Sequence, residues 1–360
     1  MIIKIYQLHL FKIFSKKIIN ITSIFFILIL IINLFEEVNY LKNTDANFSY
    51  PLLLSFLNTP SIIYEIFPFI FLISTQFFFM TLADTKELIL LKHYKLNNWS
   101  VIKTLVITSF IWAIMIVLVF YNISSKLKYD YLEIKNKFAN DNKFLAVVTE
   151  NGIWIKDEID SKINMINADK IYKQKLINVS ITQFDEDFNF LKNIKSKSSD
   201  LSNKNWSLKD STITIDGEPS QFKEYLIFKS NFDMEKINSL FSNLSSLTLL
   251  ELLKLKNDYT SIGYSTMEIE VHLNKIYSFI FYLMIMTILS SIIMMNIKYQ
   301  KKMIPHIIFG IFCSVIIYYI NYFSNLLGLN AKLPLIFSIW LPLLILSFIS
   351  LIGLVRINEK

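Results

Sequence analysis

The 360-residue chain has one cysteine, six glycines, four histidines and only 18% charged residues. Each scarcity excludes a class of function. A lone thiol, Cys313, excludes a disulfide framework and a thiolate zinc site; inside an apolar stretch of Phe and Ile it reads as a small packing residue. The glycines at 152, 217, 263, 310, 328 and 353 are too scattered for a phosphate-cradling loop. No G-x-x-x-x-G-K-[ST] run occurs, so the chain has no P-loop with which to bind and split ATP. Nucleophile elbows (G-x-S-x-G) and H-E-x-x-H pairs are missing too. The histidines, at 9, 93, 272 and 306, fall in separate segments; His93 and His306 stand among lysines and read as interfacial. No metal site, cofactor site or aromatic-basic nucleic-acid motif is expected.

What is abundant is apolar: 53% of residues, with 31 Phe and 18 Tyr. Charge is unevenly shared. Residues 122–275 hold 21 Lys and 22 Asp or Glu, which leaves 15 basic and 7 acidic residues for the rest of the chain. Crossing a bilayer as a helix takes about 20 mainly apolar residues. Six stretches qualify: 18–35, 61–82, 104–121, 276–297, 304–322 and 335–355. Their runs are continuous rather than alternating, which predicts helices and not barrel strands. The first is too long, and lacks a small-x-small site after it, for a cleaved signal peptide. Basic residues then set the orientation. Lys4, Lys12, Lys16, Lys17, Lys86, Lys92, Lys95, Lys103, Lys298, Lys301, Lys302, Arg356 and Lys360 fall on one side of this topology, and only Lys42 and Lys332 on the other. The positive-inside rule therefore places both termini in the cytoplasm and residues 122–275 outside.

The expected organisation is three spans in residues 1–121, an exported domain in 122–275, and three spans in 276–360. Within the insert the period changes to two. Residues 144–149 and 153–156 read as strands around an Asn151-Gly152 turn. Ile177, Val179 and Ile181 alternate with polar neighbours, as do Ile213 and Ile215, and 225–228 is a short apolar run. Residues 185–187, 196–200 and 216–219 read as turns. This predicts an all-β sandwich or jelly-roll-like domain. Helical connectors are expected at 126–137 and 248–256, the second opened by a Thr248-x-x-Glu251 capping box.

Few residues invite chemistry. Glu65 is the one ionisable group well inside a span, either a functional carboxylate or one that snorkels to the nearby outer interface. Gln76, deeper in that span, can hydrogen-bond another helix. After the second span, Asp84-Thr85-Lys86-Glu87 followed by Leu88-Ile89-Leu90-Leu91 predicts a short helix over 84–96, with Asp84 as cap and Glu87 at the capping-box position. Two readings stand: a capped interfacial helix, or a transverse helix that plugs into a soluble partner.

The order of these parts resembles the LptF/LptG permease family, over essentially the whole chain. Lys86-Glu87-Leu88 is similar to the S/T-E-L at the start of its coupling helix. Gly152-Ile153-Trp154-Ile155-Lys156-Asp157 resembles the run that opens the β domain on the LptG side. Phe184-Asp185-Glu186-Asp187-Phe188 resembles its F-D-x-x-hydrophobic turn, and Leu333-Pro334 with Trp340-Leu341-Pro342 the approach to its last span. The resemblance implies a bacterial inner-membrane permease, closer to LptG, of an ABC exporter that extracts lipopolysaccharide and passes it toward the outer membrane. Its implied partners are an LptB-like ATPase dimer, an LptF-like second permease, a single-span LptC-like protein and a periplasmic bridge. Asp84, Lys86, Glu87, Leu88 and Leu91 would couple to the ATPase, with Glu87 on the family's acidic docking position. Asn33, Phe35, Glu36, Lys42, Glu65 and Phe69 would lie along the substrate path, and Gly152, Trp154, Lys156 and Asp157 carry the β-domain motif. The chain departs from the pattern at His93-Tyr94-Lys95, where the family has small residues and Gly, and at the acidic outer end of the first span, where LptG proteins carry basic residues. Rival readings are a mechanotransmitting permease that moves nothing through its spans, an envelope sensor or scaffold, and, last, an intramembrane enzyme.

Overall fold

The structure is a computed structural model that describes residues 5–42, 47, 49–94, 96–138, 153–159, 162–172, 175–201, 205–215, 219–232, 237, 243–261, 266–295, 304–329 and 332–358. It divides into two compact units, residues 1–131, 245–252 and 267–360 in one, and 132–244 with 253–266 in the other.

The first unit holds six helices long and apolar enough to cross a membrane. In chain order the helices are α1 (Ile5–Leu41), α2 (Ser49–Asp84), the short α3 (Glu87–His93), α4 (Asn98–Met115), α5 (Tyr121–Lys137), α6 (Leu249–Ser261), α7 (Met267–Met295), α8 (Ile304–Leu329) and α9 (Leu335–Asn358). A five-residue π-helical turn, Ile116–Phe120, joins α4 to α5 without a break. All six expected spans are present, and the helices overrun them. At 1.5 Å per residue the 37-residue α1 is about 55 Å long, well beyond a hydrocarbon core of about 30 Å. The capping box opens α6 as expected: Glu251 Oε2 accepts from the Thr248 backbone N–H at 2.8 Å, and Thr248 Oγ1 accepts from the Glu251 N–H at 3.4 Å. Asn122 Oδ1 receives the Leu249 N–H at 3.0 Å, which ties this start to the end of the third span.

Lipid tails are as apolar as leucine, so helices in a bilayer are selected by close approach and polar contacts rather than by expulsion from water. α2 collects most of these. Ser290 on α7 donates to the Leu72 carbonyl at 2.8 Å, and the Gln76 amide lies 3.3 and 3.4 Å from the His306 and Ile307 carbonyls of α8. α4 joins α7 through Ser109 and Thr287 at 2.8 Å, and α1 through Trp112 Nε1 donating to Ser15 Oγ at 3.0 Å. Aromatic rings fill the space between: Tyr64 stacks on Phe279 at 4.6 Å, and Phe67 meets Phe120 edge-on at 5.1 Å. The result is a graded bundle. In the apolar window of α2, 67% of residues are buried; in those of α1 and α8 only 17% are.

The second unit contains a seven-stranded antiparallel sheet. Its strands are β1 (Ile153–Ile159), β2 (Lys162–Ala168), β3 (Lys170–Tyr172), β4 (Lys175–Phe184), β5 (Phe190–Asp200), β6 (Asn205–Ile215) and β7 (Gln221–Lys229). They lie in the order β1-β2-β4-β5-β6-β7, with β3 also on β4. Buried Ile155, Ile166, Ile181 and Ile194 stand opposite one another across four strands, a cross-strand row of the kind that stabilises sheets.

A crease interrupts the ladder. Asn178, Lys197, Asp210 and Glu224 face one another in a row that β4 to β7 skip, yet the register on either side is unshifted. Asn178 and Asp210 both have φ of 52°, a left-handed conformation that Asn and Asp tolerate better than most residues. Across this row the inward alternation slips by one, from Leu176 to Val179, from Ser196 to Ser199 and from Leu208 to Ser211, all buried. Ser196 Oγ compensates the skipped pairing, lying 2.9 Å from the Ser198 carbonyl and 2.6 Å from that of Lys209. The expected all-β insert is thus one meandering sheet whose ladder is interrupted along a single row. Residues 196–200, expected as a turn, form the second half of β5, because their serines are accommodated at the crease. The expected strand at 144–149 and its Asn151-Gly152 turn lie outside the described residues.

Gly310 of α8 lies against the Gln76 side chain of α2; a Cβ there would collide with that amide. Gly310→Val should destabilise the bundle by about 1–3 kcal/mol, the usual range for overpacking, and Gln76→Ala should restore part of the loss. Thermal aggregation of the detergent-solubilised chain measures both; a Gly310→Val chain as stable as the parent would show that the close approach is unnecessary.

Candidate functional site

The residues expected to matter fall in three places. The first is α3. α2 runs on through Asp84, since no Gly or Pro stops it, and Lys86 (φ 58°) makes the break. Asp84 is therefore the last residue of α2 and not the cap of α3, a correction to the sequence reading. The carbonyl of Lys86 receives the first N–H groups of α3, from Ile89 at 3.1 Å and Leu90 at 3.3 Å. Glu87 then stands in the first turn, where a carboxylate suits the helix dipole. It forms no capping box; its Oε2 is 2.8 Å from His9 Nε2 on α1. Leu88 and Leu91 are half-buried and pack on the apolar core of the bundle. Ile89, Leu90 and Tyr94 are exposed, Tyr94 by 81%. Of the five coupling residues expected, Asp84 and Lys86 are exposed, Glu87 is tied to α1, and Leu88 and Leu91 face inward.

The second place is the far end of α1. Asn33, Glu37 and Leu41, each four residues apart, are buried on one face. Asn33 Nδ2 donates to Thr59 Oγ1 at 3.3 Å, and the Tyr131 hydroxyl donates to Glu37 Oε1 at 2.8 Å. Lys128 Nζ donates to Asn58 Oδ1 at 2.6 Å and lies 4.5 Å from the centre of the Tyr131 ring, a cation–π contact. This polar stitch joins α1, α2 and α5. Among the expected path residues, Asn33 belongs to it, whereas Phe35 (68% exposed), Glu36 and Lys42 point away from the bundle. Glu65 is exposed on α2 with the charges of Lys128 and Lys275 in its field. Phe69, one turn on, is half-buried and edge-on to Phe25 at 5.6 Å. Sequence reasoning missed Glu37, Asn58, Lys128, Tyr131 and His9; the 33/37/41 spacing was the available signal for the first.

Around these groups the surface is apolar. Between Ile21 and Asn33 α1 buries no residue fully. A shallow depression of about 510 Å³ lies against Leu30 and the start of α2, lined by Tyr50, Leu52, Leu53 and Phe56. Another of about 480 Å³ lies along α8 beside Val315, Tyr319 and Phe323. Among the described residues no three His, Cys, Asp or Glu side chains are placed to hold a metal.

The third place is the β-domain motif. Trp154 is 58% exposed, the Lys156 backbone pairs with Met165, and Gly152 lies outside the described residues. Asp157 is fully buried. Its carboxylate accepts from Ser230 Oγ at 2.8 Å, from the Asn231 N–H at 3.0 Å and from Asn231 Nδ2 at 2.9 Å. β1 and β7 stand at opposite ends of the strand order, so this clamp draws the chain leaving β7 back to β1. Trp206 holds the same segment from β6, donating to the Phe232 carbonyl at 2.8 Å. The Phe184–Phe188 turn is organised by Asp185, whose Oδ1 accepts from the N–H of Asp187 at 3.0 Å and of Asn189 at 2.7 Å. The Asn189 side chain and backbone hold that carboxyl below its ordinary range.

Six apolar helices with an all-β insert between the third and fourth define a multi-pass membrane protein. The family model of the lipopolysaccharide export system permeases LptF/LptG matches residues 8–356, and the chain belongs to that family. It is accordingly a multi-pass inner-membrane permease of an ABC transport system for lipopolysaccharide. No curated protein matches the chain.

Asp157→Ala should leave three donors without their acceptor and destabilise the sheet by about 3 kcal/mol, while Trp154→Ala, at an exposed site, should stay within about 0.5 kcal/mol. Hydrogen exchange over residues 153–232 of the full chain reads both; equal protection in the two variants would contradict the clamp.

Proposed function

We propose that the chain is the LptG-like half of a permease pair that extracts lipopolysaccharide from the inner membrane. Both termini lie in the cytoplasm and the β domain in the periplasm, as the basic residues of the loops favour. The observation that carries the reading is the uncovered apolar surface of α1 and α8, the two least buried spans, with shallow apolar depressions against each. Those faces suit a second, LptF-like permease with a greasy space enclosed between the two. The rest of the route is the β domain, which passes acyl chains on to an LptC-like partner and a periplasmic bridge.

Each methylene group taken out of the bilayer loses about 0.8 kcal/mol, so several acyl chains require an external energy source. This chain has no nucleotide motif, and an LptB-like ATPase dimer supplies the work through α3. The face turned to that partner is the exposed one, Ile89, Leu90 and Tyr94, with Glu87 at its edge; Leu88 and Leu91 anchor the helix instead. Glu36 is exposed near the outward end of α1 and Glu37 is consumed by Tyr131, so positive charge for a phosphorylated head group comes from the partner permease.

A photoreactive residue at Phe35 or at Phe312 (63% exposed) should capture lipopolysaccharide in the assembled complex, whereas one at the buried Phe71 should not. An ATP-hydrolysing complex that gave no adduct at either exposed position would contradict the proposed route.

A further inference from the structure

α1 is fastened by polar contacts near both ends and only partly covered in the middle, where Phe25 and Phe26 meet Phe69 and Phe56 of α2. One end is stitched to α2 and α5 through Asn33 and Glu37. The other is tied to α3 by His9, whose Nε2 lies 2.8 Å from the Glu87 carboxylate, with the two side chains 56% and 28% exposed. Between them lies the stretch from Ile21 to Asn33, where no residue is fully buried.

α3 has two further attachments. Its chain continues from α2 through the Lys86 turn, and Leu88 and Leu91 rest on the apolar core. Leucine packing is non-directional and lets a short helix slide. A hydrogen bond to a carboxylate is short and directional, so it fixes which turn of α1 a displaced α3 takes with it.

We propose that His9 is a positioning residue for transport. Its bond to Glu87 couples the short helix to the start of α1, so that a displacement of α3 moves α1 along with α2. α1 then acts as a lever whose far end carries Phe35 and Glu36 at the proposed substrate-facing surface. Without the bond, α3 moves only α2, the helix most deeply locked in the bundle. This inference rests on the reading that the partner ATPase acts on α3.

The test uses the complete complex with its ATPase in vesicles of phospholipid and lipopolysaccharide, and scores lipopolysaccharide released per ATP hydrolysed. His9→Ala should hydrolyse ATP at close to the parental rate but release about fivefold less lipid per ATP, the low end of typical coupling effects. His9→Gln, which keeps an N–H donor near the Nε2 position, should recover most of that ratio. A merely structural loss would lower hydrolysis and release together, and Gln would not separate them. An unchanged ratio in His9→Ala overturns the proposal, as does a His9→Gln complex that hydrolyses ATP without recovering release. If the unaltered complex releases no lipid with ATP, the transport reading itself fails, and this one with it.

Discussion

Hydrocarbon offers neither water to pair with a polar group nor an aqueous penalty that would drive one apolar helix onto another. A helix is therefore held inside this bundle only where small or hydrogen-bonding side chains let backbones meet. α2 satisfies that condition along its length, through Thr59, Gln76 and the Leu72 carbonyl, and it is the most enclosed span. α1 satisfies it at Ser15, Asn33 and Glu37, and between Ile21 and Asn33 it meets α2 through rings such as Phe25 on Phe69 with no residue fully buried. α8 does so mainly around Gly310, and near its end at Ser324, which donates to the Ser338 carbonyl of α9 at 2.6 Å. The exposed apolar faces of α1 and α8 follow directly, and the proposed permease interface and lipid route depend on those faces.

The insert solves a related problem by other means. A meander of long antiparallel strands would be open at both ends, with edges prone to unwanted pairing. Here left-handed residues at Asn178 and Asp210 interrupt the ladder along one row, and Asp157 draws the segment after β7 back to β1. A motif aspartate that family likeness alone would suggest as functional proves to be a fastener. Exposed Trp154, three residues earlier on the same strand, is left for outside contacts.

Hydropathy made the six spans and the all-β insert between them legible, because span length depends on the solvent and not on tertiary detail. The same reading faltered where a distant partner decides. Residues 196–200 looked like a turn by composition, yet Ser196 serves an interrupted row shared with three other strands. Asp84 looked like a helix cap, but α2 extends through it and the left-handed Lys86 makes the break. Neighbouring acids at 36 and 37 are indistinguishable by composition; helical phase buries the second against Tyr131 and exposes the first. His9 and Glu87 are 78 positions apart, and no local pattern joins them.

The central claim is that this polypeptide lends a lipid-facing surface to an engine it does not itself contain. Isolation of the native assembly in mild detergent, with every associated subunit and lipid identified, tests it most directly. The account predicts a separate ATPase, a second and different permease, and bound lipopolysaccharide. Recovery of the chain with no ATPase and no glycolipid, or nucleotide hydrolysis by the chain alone, would contradict it.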